Sequence, residues 1–234
     1  MTKEERQSAI LDQLLKQGSV LVSALSDNLQ VSAVTIRKDL TDLERQGRLY
    51  RSHGKAILIN PFTANRSVNE KEKLFPEEKY NIGTAAAQLV MPNDSIVIAS
   101  GTTVTAFAQC LQHSPRFTAV TSSIKVSEAL AANSEIEVIQ LGGRLRHSSL
   151  SVVGPDGEQT LAGCTFSKLF IGVDGIDLEY GITTTDLREA HLNKVMMGVA
   201  QKNIVLADSS KFGRRGFAKI CGMDEIDVII TDGN

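Results

Sequence analysis

The chain has 234 residues, 42% of them hydrophobic and 22% charged, with a formal net charge of −2. That balance describes an ordinary soluble globular protein and excludes disordered and membrane classes. No apolar run approaches the roughly 18 residues of a membrane span, and Met1 to Arg6 leads into no signal-type apolar core, so a cytoplasmic protein is expected.

Charge is uneven: residues 1–60 hold nine Lys/Arg against seven Asp/Glu, whereas the remainder holds sixteen against twenty. Cys110, Cys164 and Cys221 are far apart, with no C-x-x-C pair, and read as buried structural thiols. His53, His113, His147 and His191 have no partner at zinc-ligand spacing, so no metal is expected. No cofactor is expected either.

Thr2-Lys3-Glu4-Glu5 matches a capping box, and Ile10, Leu11, Leu14 and Leu15 repeat at helical spacing until Gly18 supplies a stop. A second short helix carries Val22, Leu25 and Leu29. Ser32 is a good N-cap for a third, in which Ile36, Leu40 and Leu43 form one apolar stripe. The opposite side of that helix carries Val34, Lys38, Thr41 and Arg45, flanked by Thr35 and Arg37. Gly47 is expected to end it, and residues 48–58 read as two short strands around a His53-Gly54 turn.

Three helices followed by a basic hairpin make a winged helix-turn-helix. A short helix fits the major groove, where its N-terminal side chains reach base edges, while the wing lies on the backbone. The adjacent Arg37-Lys38 pair alone would be a solvated helix face; the short preceding helix, the capped turn and the hairpin together favour DNA contact. The candidate DNA-facing residues are Ser32, Val34, Thr35, Arg37, Lys38, Thr41 and Arg45 on the helix, with Arg51, His53 and Lys55 in the wing.

The run "VSAVTIRKDLTDLERQGRLYRSHGKA" resembles the N-terminal domain of the DeoR family of bacterial sugar-operon regulators. That family commonly has acidic residues where this chain has Ala33 and Val34, and a second glycine where it has Lys55. These departures imply different base preferences or wing contacts.

Asn60-Pro61-Phe62 breaks the strand pattern, and Arg66 to Lys79 is densely charged. The expected domains are therefore a DNA-binding head at 1–59, a linker at 60–75 and a larger domain at 76–234. Pro76 and Glu77-Glu78 suit a first helical turn, with Ile82, Ala86, Leu89 and Val90 on one side of the helix.

From Ser95 onward, short apolar runs alternate with helix-length segments. The runs at 95–99, 117–121, 136–141, 168–173, 203–207 and 227–231 look like strands covered on both faces. Amphipathic helices are expected at 104–111, 124–132 and 187–200. This alternation predicts an α/β fold: a small N-terminal winged helix-turn-helix joined to a larger Rossmann-like domain with a mainly parallel sheet.

Small polar loops follow five of these strands: Ser100-Gly101-Thr102-Thr103, Ser122-Ser123, Gly142-Gly143-Arg144, Asp174-Gly175-Ile176-Asp177 and Asp208-Ser209-Ser210-Lys211. Carboxyl ends of parallel strands point one way, so the five loops can converge on one crevice. Gly101, Thr102, Thr103 and the helix that follows suit a phosphate; Arg144 and Lys211 could neutralise it, and Asp174 and Asp177 could accept from sugar hydroxyls. A phosphorylated sugar fits both halves.

This second half also resembles the DeoR family's sugar-phosphate sensor domain, through "SGTT", "VTSS", "LGGRLR", "GVDGID", "GITTTDLREAHLNK" and "ADSSKFGR". The resemblance implies a fold similar to ribose-5-phosphate isomerase. It also implies ligand roles for Gly101, Thr102, Thr103, Gly143, Asp174, Gly175, Glu189, Lys194 and Lys211. Family members usually have Thr-Asn where this chain has Ser122-Ser123, and usually continue beyond "ITDGN" with another helix and strand.

The expected function is a transcription regulator, a repressor of a carbohydrate-use operon, whose affinity for double-stranded operator DNA is modulated by a phosphorylated sugar. A homodimer or higher homo-oligomer is expected, since two recognition helices about 34 Å apart read a two-half-site operator better than one. Two rival readings use the same residues. One is a sugar-phosphate isomerase or deaminase with an accessory head, with acid-base groups in Asp174, Asp177, Glu189 and Lys194; against it, the chain lacks the longer Asp-Gly-Ala-Asp-Glu and Lys-Gly-Gly-Gly runs of the isomerase. The other is an architectural DNA binder indifferent to metabolites.

Overall fold

A computed structural model describes residues 1–45, 48–52, 54–58 and 67–233. The chain divides into two compact units, Met1–Ala64 and Asn65–Asn234.

In the first unit, helix α1 (Lys3–Gln17) starts at the capping box: Thr2 Oγ1 accepts from the Glu5 amide, and Glu5 Oε2 accepts from the Thr2 amide. Gly18, with φ +72°, turns the chain out of the helix. Strand β1 (Ser19–Leu21) leads directly into α2 (Val22–Leu29), which ends at Gln30 in the left-handed conformation. Helix α3 (Ala33–Arg45) begins after Ser32, whose Oγ accepts from the Thr35 amide at 3.2 Å. Strands β2 (Leu49–Ser52) and β3 (Lys55–Leu58) form the wing hairpin, and β1 pairs with β3 to complete a three-stranded antiparallel sheet. The helix stop at Gly47 and the turn residue His53 lie outside the described residues.

The stripe of α3 meets the other elements as its spacing requires: Ile36, Leu40 and Leu43 pack with Ile10, Leu14, Leu25 and Leu49 in one core. Each fully buried aliphatic side chain contributes about 1.5–3 kcal/mol of transfer free energy, so this cluster supplies most of what holds a unit this small. Asp39, on the same side, is buried and takes a two-point ion pair from Arg6 of α1, with Nε to Oδ2 at 2.5 Å and Nη2 to Oδ1 at 3.1 Å.

The second unit opens with a short helix, α4 (Val68–Glu72), set by a capping box between Ser67 and Glu70. These residues fall within the stretch expected to be linker. Helix α5 (Pro76–Ala87) follows, then β4 (Ser95–Ile98), α6 (Thr102–Cys110), β5 (Phe117–Thr121), α7 (Ile124–Leu130) and β6 (Ile136–Gln140). A hairpin of β7 (Arg144–Arg146) and β8 (Ser151–Val153) precedes α8 (Pro155–Ala162) and β9 (Lys168–Gly172). The remainder is β10 (Gly175–Asp177), β11 (Gly181–Thr184), α9 (Leu187–Val199), β12 (Asn203–Leu206), β13 (Ala218–Cys221) and β14 (Val228–Ile230).

All six apolar runs are strands of one parallel sheet, in the order β14-β12-β9-β4-β5-β6. The pleat sends alternate side chains to opposite faces. Ile96 and Ile98 enter a core with residues of α5, α6 and α7, whereas Val97 and Ala99 enter a second core with residues of α8, α9 and the strands beyond. Both faces are covered, so the strands read as apolar runs. Strands β10, β11 and β13 form a separate antiparallel sheet in the second core. That sheet and the β7-β8 hairpin are not among the expected strands, because segments such as Arg144–Arg146, Gly175–Asp177 and Gly181–Thr184 mix polar residues or glycine with apolar ones and form no apolar run.

Of the three cysteines only Cys221 is buried; Cys164 is exposed after α8, which corrects the expectation of three buried thiols. No helix among the described residues is long and apolar enough to cross a membrane.

Helices α5 and α6 pack closely because Gly83 has no side chain: a Cβ there would lie 2.9 Å from the Phe107 Cα and amide nitrogen. Gly83→Ala should therefore lower stability by about 1–3 kcal/mol in urea unfolding, through overpacking against backbone that cannot yield. Gly198→Ala, on the exposed side of α9 with nothing within 4 Å of its Cβ position, should be neutral or stabilising by up to about 1 kcal/mol.

Candidate functional sites

In the first unit, α3 presents a polar, cationic side opposite its buried stripe. Val34, Arg37, Lys38 and Arg45 are exposed, and Thr35 and Thr41 are partly so. Thr41 Oγ1 donates to the Arg37 carbonyl, fixing its orientation along the helix. No hydrogen bond or ion pair engages the side chains of Arg37 or Lys38 among the described residues, so both can reach an external anion. Arg51 in the wing is held by Glu44 of α3, which accepts from its Nε and Nη2 at 2.8 Å and from its backbone amide at 3.0 Å. That pair braces the wing against α3. Lys55 is exposed beside it.

In the second unit, the parallel sheet reverses its winding between β4 and β9: β5 and β6 lie to one side, β12 and β14 to the other. Chain leaving β4 and chain leaving β9 therefore diverge, and a crevice opens between their carboxyl ends. The two ends approach closely because β9 finishes in Gly172, where a Cβ would lie 3.3 Å from the Ser100 carbonyl oxygen. A cleft of about 590 Å³, counting space open to solvent, lies there.

One lip is the start of α6. Gly101 adopts φ +132°, a conformation that favours glycine, and no side chain caps the helix. Gly101, Thr102 and Thr103 line the cleft, and the first-turn amides of the helix have no intrahelical acceptor. The other lip is Asp174. Its Oδ1 accepts from Lys71 Nζ at 2.6 Å and its Oδ2 from Thr184 Oγ1 at 3.1 Å. Burial would raise the Asp174 pKa, but the charges of Lys71 and Lys211 and these hydrogen bonds outweigh it and hold the carboxyl well below its usual range.

Lys211 enters from the turn after β12. Burial lowers its pKa, opposed by Asp208 and Asp174. Its ammonium stands 4.0 Å from Asp208 Oδ2, a buried oxygen with no hydrogen-bond partner among the described residues. A third cation, Arg146 of β7, ion-pairs with Glu189 at 3.0 Å and with Asp186 at 3.3 Å. Asp186 also caps α9, accepting from the amides of Arg188 and Glu189. Burial opposes its ionisation, yet the Arg188 and backbone hydrogen bonds and the Arg146 charge bring its pKa down to about 2.

The cleft thus gathers Gly101, Thr102, Thr103, Asp174, Glu189 and Lys211 from the expected set. It does not gather the rest. Ser122 and Ser123 are buried under the β7-β8 hairpin: the Ser122 carbonyl accepts from the Val152 amide, and Ser123 Oγ caps α7. Gly143, with φ +138°, turns the chain into β7, where a Cβ would lie 2.9 Å from the Val153 carbonyl oxygen. Arg144 is exposed at the start of β7, outside the lining. Gly175 serves close backbone packing, since a Cβ would lie 2.5 Å from the Arg214 carbonyl oxygen. Lys194 is exposed on α9 and ion-pairs with Glu225. Asp177 is also outside, held by Arg215 and by the Tyr180 and Glu179 amides with a pKa of about 2.

In their place the cleft is lined by Lys71, Arg146, Ser148, Ser149, Thr184 and Asn193. Asn193 had a legible signal: it lies four residues after Glu189 and shares its helix face, whereas Lys194 at five residues does not. Lys71 had none, being one charge among many in a stretch that reads as linker. Among the described residues no cluster of three or more His, Cys, Asp or Glu could hold a metal.

Two family profiles match the chain: a DeoR-like helix-turn-helix domain over residues 6–62 and a DeoR C-terminal sensor domain over residues 75–233. The chain belongs to the DeoR family. Among its relatives is an Escherichia coli O157:H7 protein assigned as a transcriptional repressor of the aga operon, 40% identical over 97% of this chain and 86% of the relative. The Bacillus subtilis HTH-type transcriptional repressor GlcR is 35% identical over 99% and 89%. The Haloferax volcanii regulator GlpR is 33% identical over 100% and 91%. Among solved structures, ribose 5-phosphate isomerase A from Methanocaldococcus jannaschii aligns at 16% identity with a TM-score of 0.44, over 58% of this chain and about half (54%) of the isomerase.

Behind the cleft of this DeoR-family chain, α5 contributes Lys79, whose buried ammonium donates to the carbonyls of Lys71, at 2.6 Å, and Leu74. Burial, reinforced by the Lys211 charge, brings its pKa from 10.5 down to about 8. Between those values the folded chain binds fewer protons at this site than the unfolded chain, so Lys79 makes unfolding free energy rise with pH across that window. In urea titrations from about pH 8 to pH 10, the stability difference between wild type and Lys79→Met should move in favour of wild type. A constant difference would mean that Lys79 titrates normally.

Proposed function

We propose that this chain represses a carbohydrate-use operon and that a phosphorylated sugar, bound in the cleft of the second unit, modulates its affinity for operator DNA. The observation that carries the reading is the pairing of chemistries across that cleft. An uncapped helix start with two hydroxyls and two lysines suits a phosphate, and a deprotonated Asp174 beside Thr184 and Asn193 suits hydroxyls. Relatives named as repressors support the regulatory half.

The reading is of a regulator and not an enzyme. A general base works best with a pKa near the working pH, and Asp174 is held far below it; Glu189 is tied to Arg146 and to Ser151 Oγ. Lys194 and Asp177, the other acid-base groups of the enzymatic alternative, are not in the cleft lining. No cofactor is invoked, and the effector is the only small molecule the reading requires. The DNA face is Ser32, Val34, Thr35, Arg37, Lys38, Thr41 and Arg45 of α3, with Lys55 from the wing and Arg51 acting through the Glu44 brace. Pairing of two heads in a homo-oligomer would present two such helices to two half-sites.

Lys38→Ala should weaken binding to an operator duplex selected with the wild-type chain and lower the salt slope of the binding constant by about 1, as expected for one lost phosphate contact. Lys211→Ala should keep operator affinity and lose release by phosphorylated sugars, read by fluorescence anisotropy of labelled DNA. Release that persists in Lys211→Ala would move the effector elsewhere.

A further inference from the structure

The second unit opens with α4, and α4 is fastened to the cleft. Val68 is buried and its amide donates to the Ser148 carbonyl at 2.6 Å. Lys71 Nζ donates to Asp174 Oδ1. Glu72 ion-pairs with Lys125 at 2.5 Å, and the Lys79 ammonium holds the Lys71 and Leu74 carbonyls at the far end of the helix. Val68, Lys71 and Ser148 all line the cleft, so two of these fastenings form part of its wall.

We infer that Lys71 is an effector-binding residue that joins the phosphate of the bound sugar to Asp174 and so clamps α4 when the cleft is filled. This rests on the reading of the cleft as a phosphorylated-sugar site and adds the residue through which occupancy reaches the chain entering that unit.

The charge count supports it. Arg146 already faces Glu189 and Asp186, which leaves Lys71 and Lys211 as the other lining cations, and Lys211 also stands 4.0 Å from Asp208. A phosphate monoester brings up to two negative charges next to an ionised carboxylate, and one lysine cannot offset both anions. An ammonium has three donors and can bridge two of them. Lys71 spends one on Asp174 and retains two, with its side chain partly open to solvent. A ligand anion held at the start of α6 would give it a second partner without breaking the first. Segment 68–74 would then be anchored through the ligand as well as directly.

The test is amide hydrogen exchange on the full chain with glucose 6-phosphate, galactosamine 6-phosphate and inorganic phosphate as probes, followed in two windows, residues 102–104 and 68–74. In wild type a bound probe should slow both windows, by about tenfold at tenfold excess over its dissociation constant. Lys71→Met should keep α4 folded through Val68, Glu72 and Lys79; at saturating probe the slowing at 102–104 should remain and that at 68–74 should vanish. Lys71→Arg, which keeps the charge and donors, should restore it. Slowing at 102–104 with none at 68–74 in wild type, or slowing at 68–74 that persists in Lys71→Met, overturns the inference and leaves the sensing function standing. No slowing in either window with any probe overturns the phosphate site itself and this inference with it.

Discussion

The winding of the parallel sheet reverses between β4 and β9, and the functional geometry of the second unit follows from that reversal. Two strand ends that lead away from each other leave a crevice that no helix fills, and two glycines let their backbones close its floor. Gly101 turns the chain from β4 into α6 without a cap, and Gly172 brings β9 against the Ser100 carbonyl. A side chain at position 172 would press the strand ends apart and widen the cleft between the α6 amides and Asp174.

Magnitudes assign separate roles to the groups around that crevice. A helix terminus contributes about 0.3–1 kcal/mol to an anion at a partly exposed site, whereas a hydrogen bond to a charged group contributes about 1.5–3 kcal/mol. For an anion bound in that crevice, the α6 amides would therefore fix its position and the lysines the strength of its hold. Arg146 is already engaged by carboxylates. Bound to Glu189, Asp186 and Ser149, it ties β7 to the start of α9 and keeps the hairpin seated over Ser122 and Ser123. Removing its charge would leave two partly buried carboxylates facing each other, so its role is to make the wall possible.

How much of this was legible in the sequence depends on how far a residue's environment is local. The six parallel strands were readable because both of their faces are covered, which writes an unbroken apolar run into each. The α3 stripe of Ile36, Leu40 and Leu43 was readable because its period is local to one helix. The ends of β4, β9 and β12 were correctly read as converging, and Gly101, Thr102, Thr103, Asp174 and Lys211 came with them. Ser122, Ser123 and Gly143 follow strands equally but do not line the cleft, because the β7-β8 hairpin folds back over the end of β5. Its strands carry no apolar run, β7 being Arg-Leu-Arg, and so the choice between Arg144 and Arg146 in "LGGRLR" had no local basis. Lys71 is the extreme case: its partner Asp174 is 103 residues away, and nothing in a run of mixed charge announces a tertiary contact.

A sensor transmits only the difference between the affinities of its ligand for two arrangements of the chain; equal affinity, however tight, shifts nothing. The proposed contact meets that requirement in kind and in size. Lys71 can touch a phosphate at the α6 terminus only while α4 is seated, so the contact exists in the clamped arrangement and is absent from any in which α4 has lifted away. A tenfold change in operator affinity needs about 1.4 kcal/mol of coupling, within the range of one charge-assisted hydrogen bond. The fastenings whose side chains lie outside the cleft lining, Glu72 to Lys125 and Lys79 to the carbonyls of Lys71 and Leu74, set the resting balance. One lysine that belongs to α4 and also lines the cleft would be enough to make that balance depend on a metabolite.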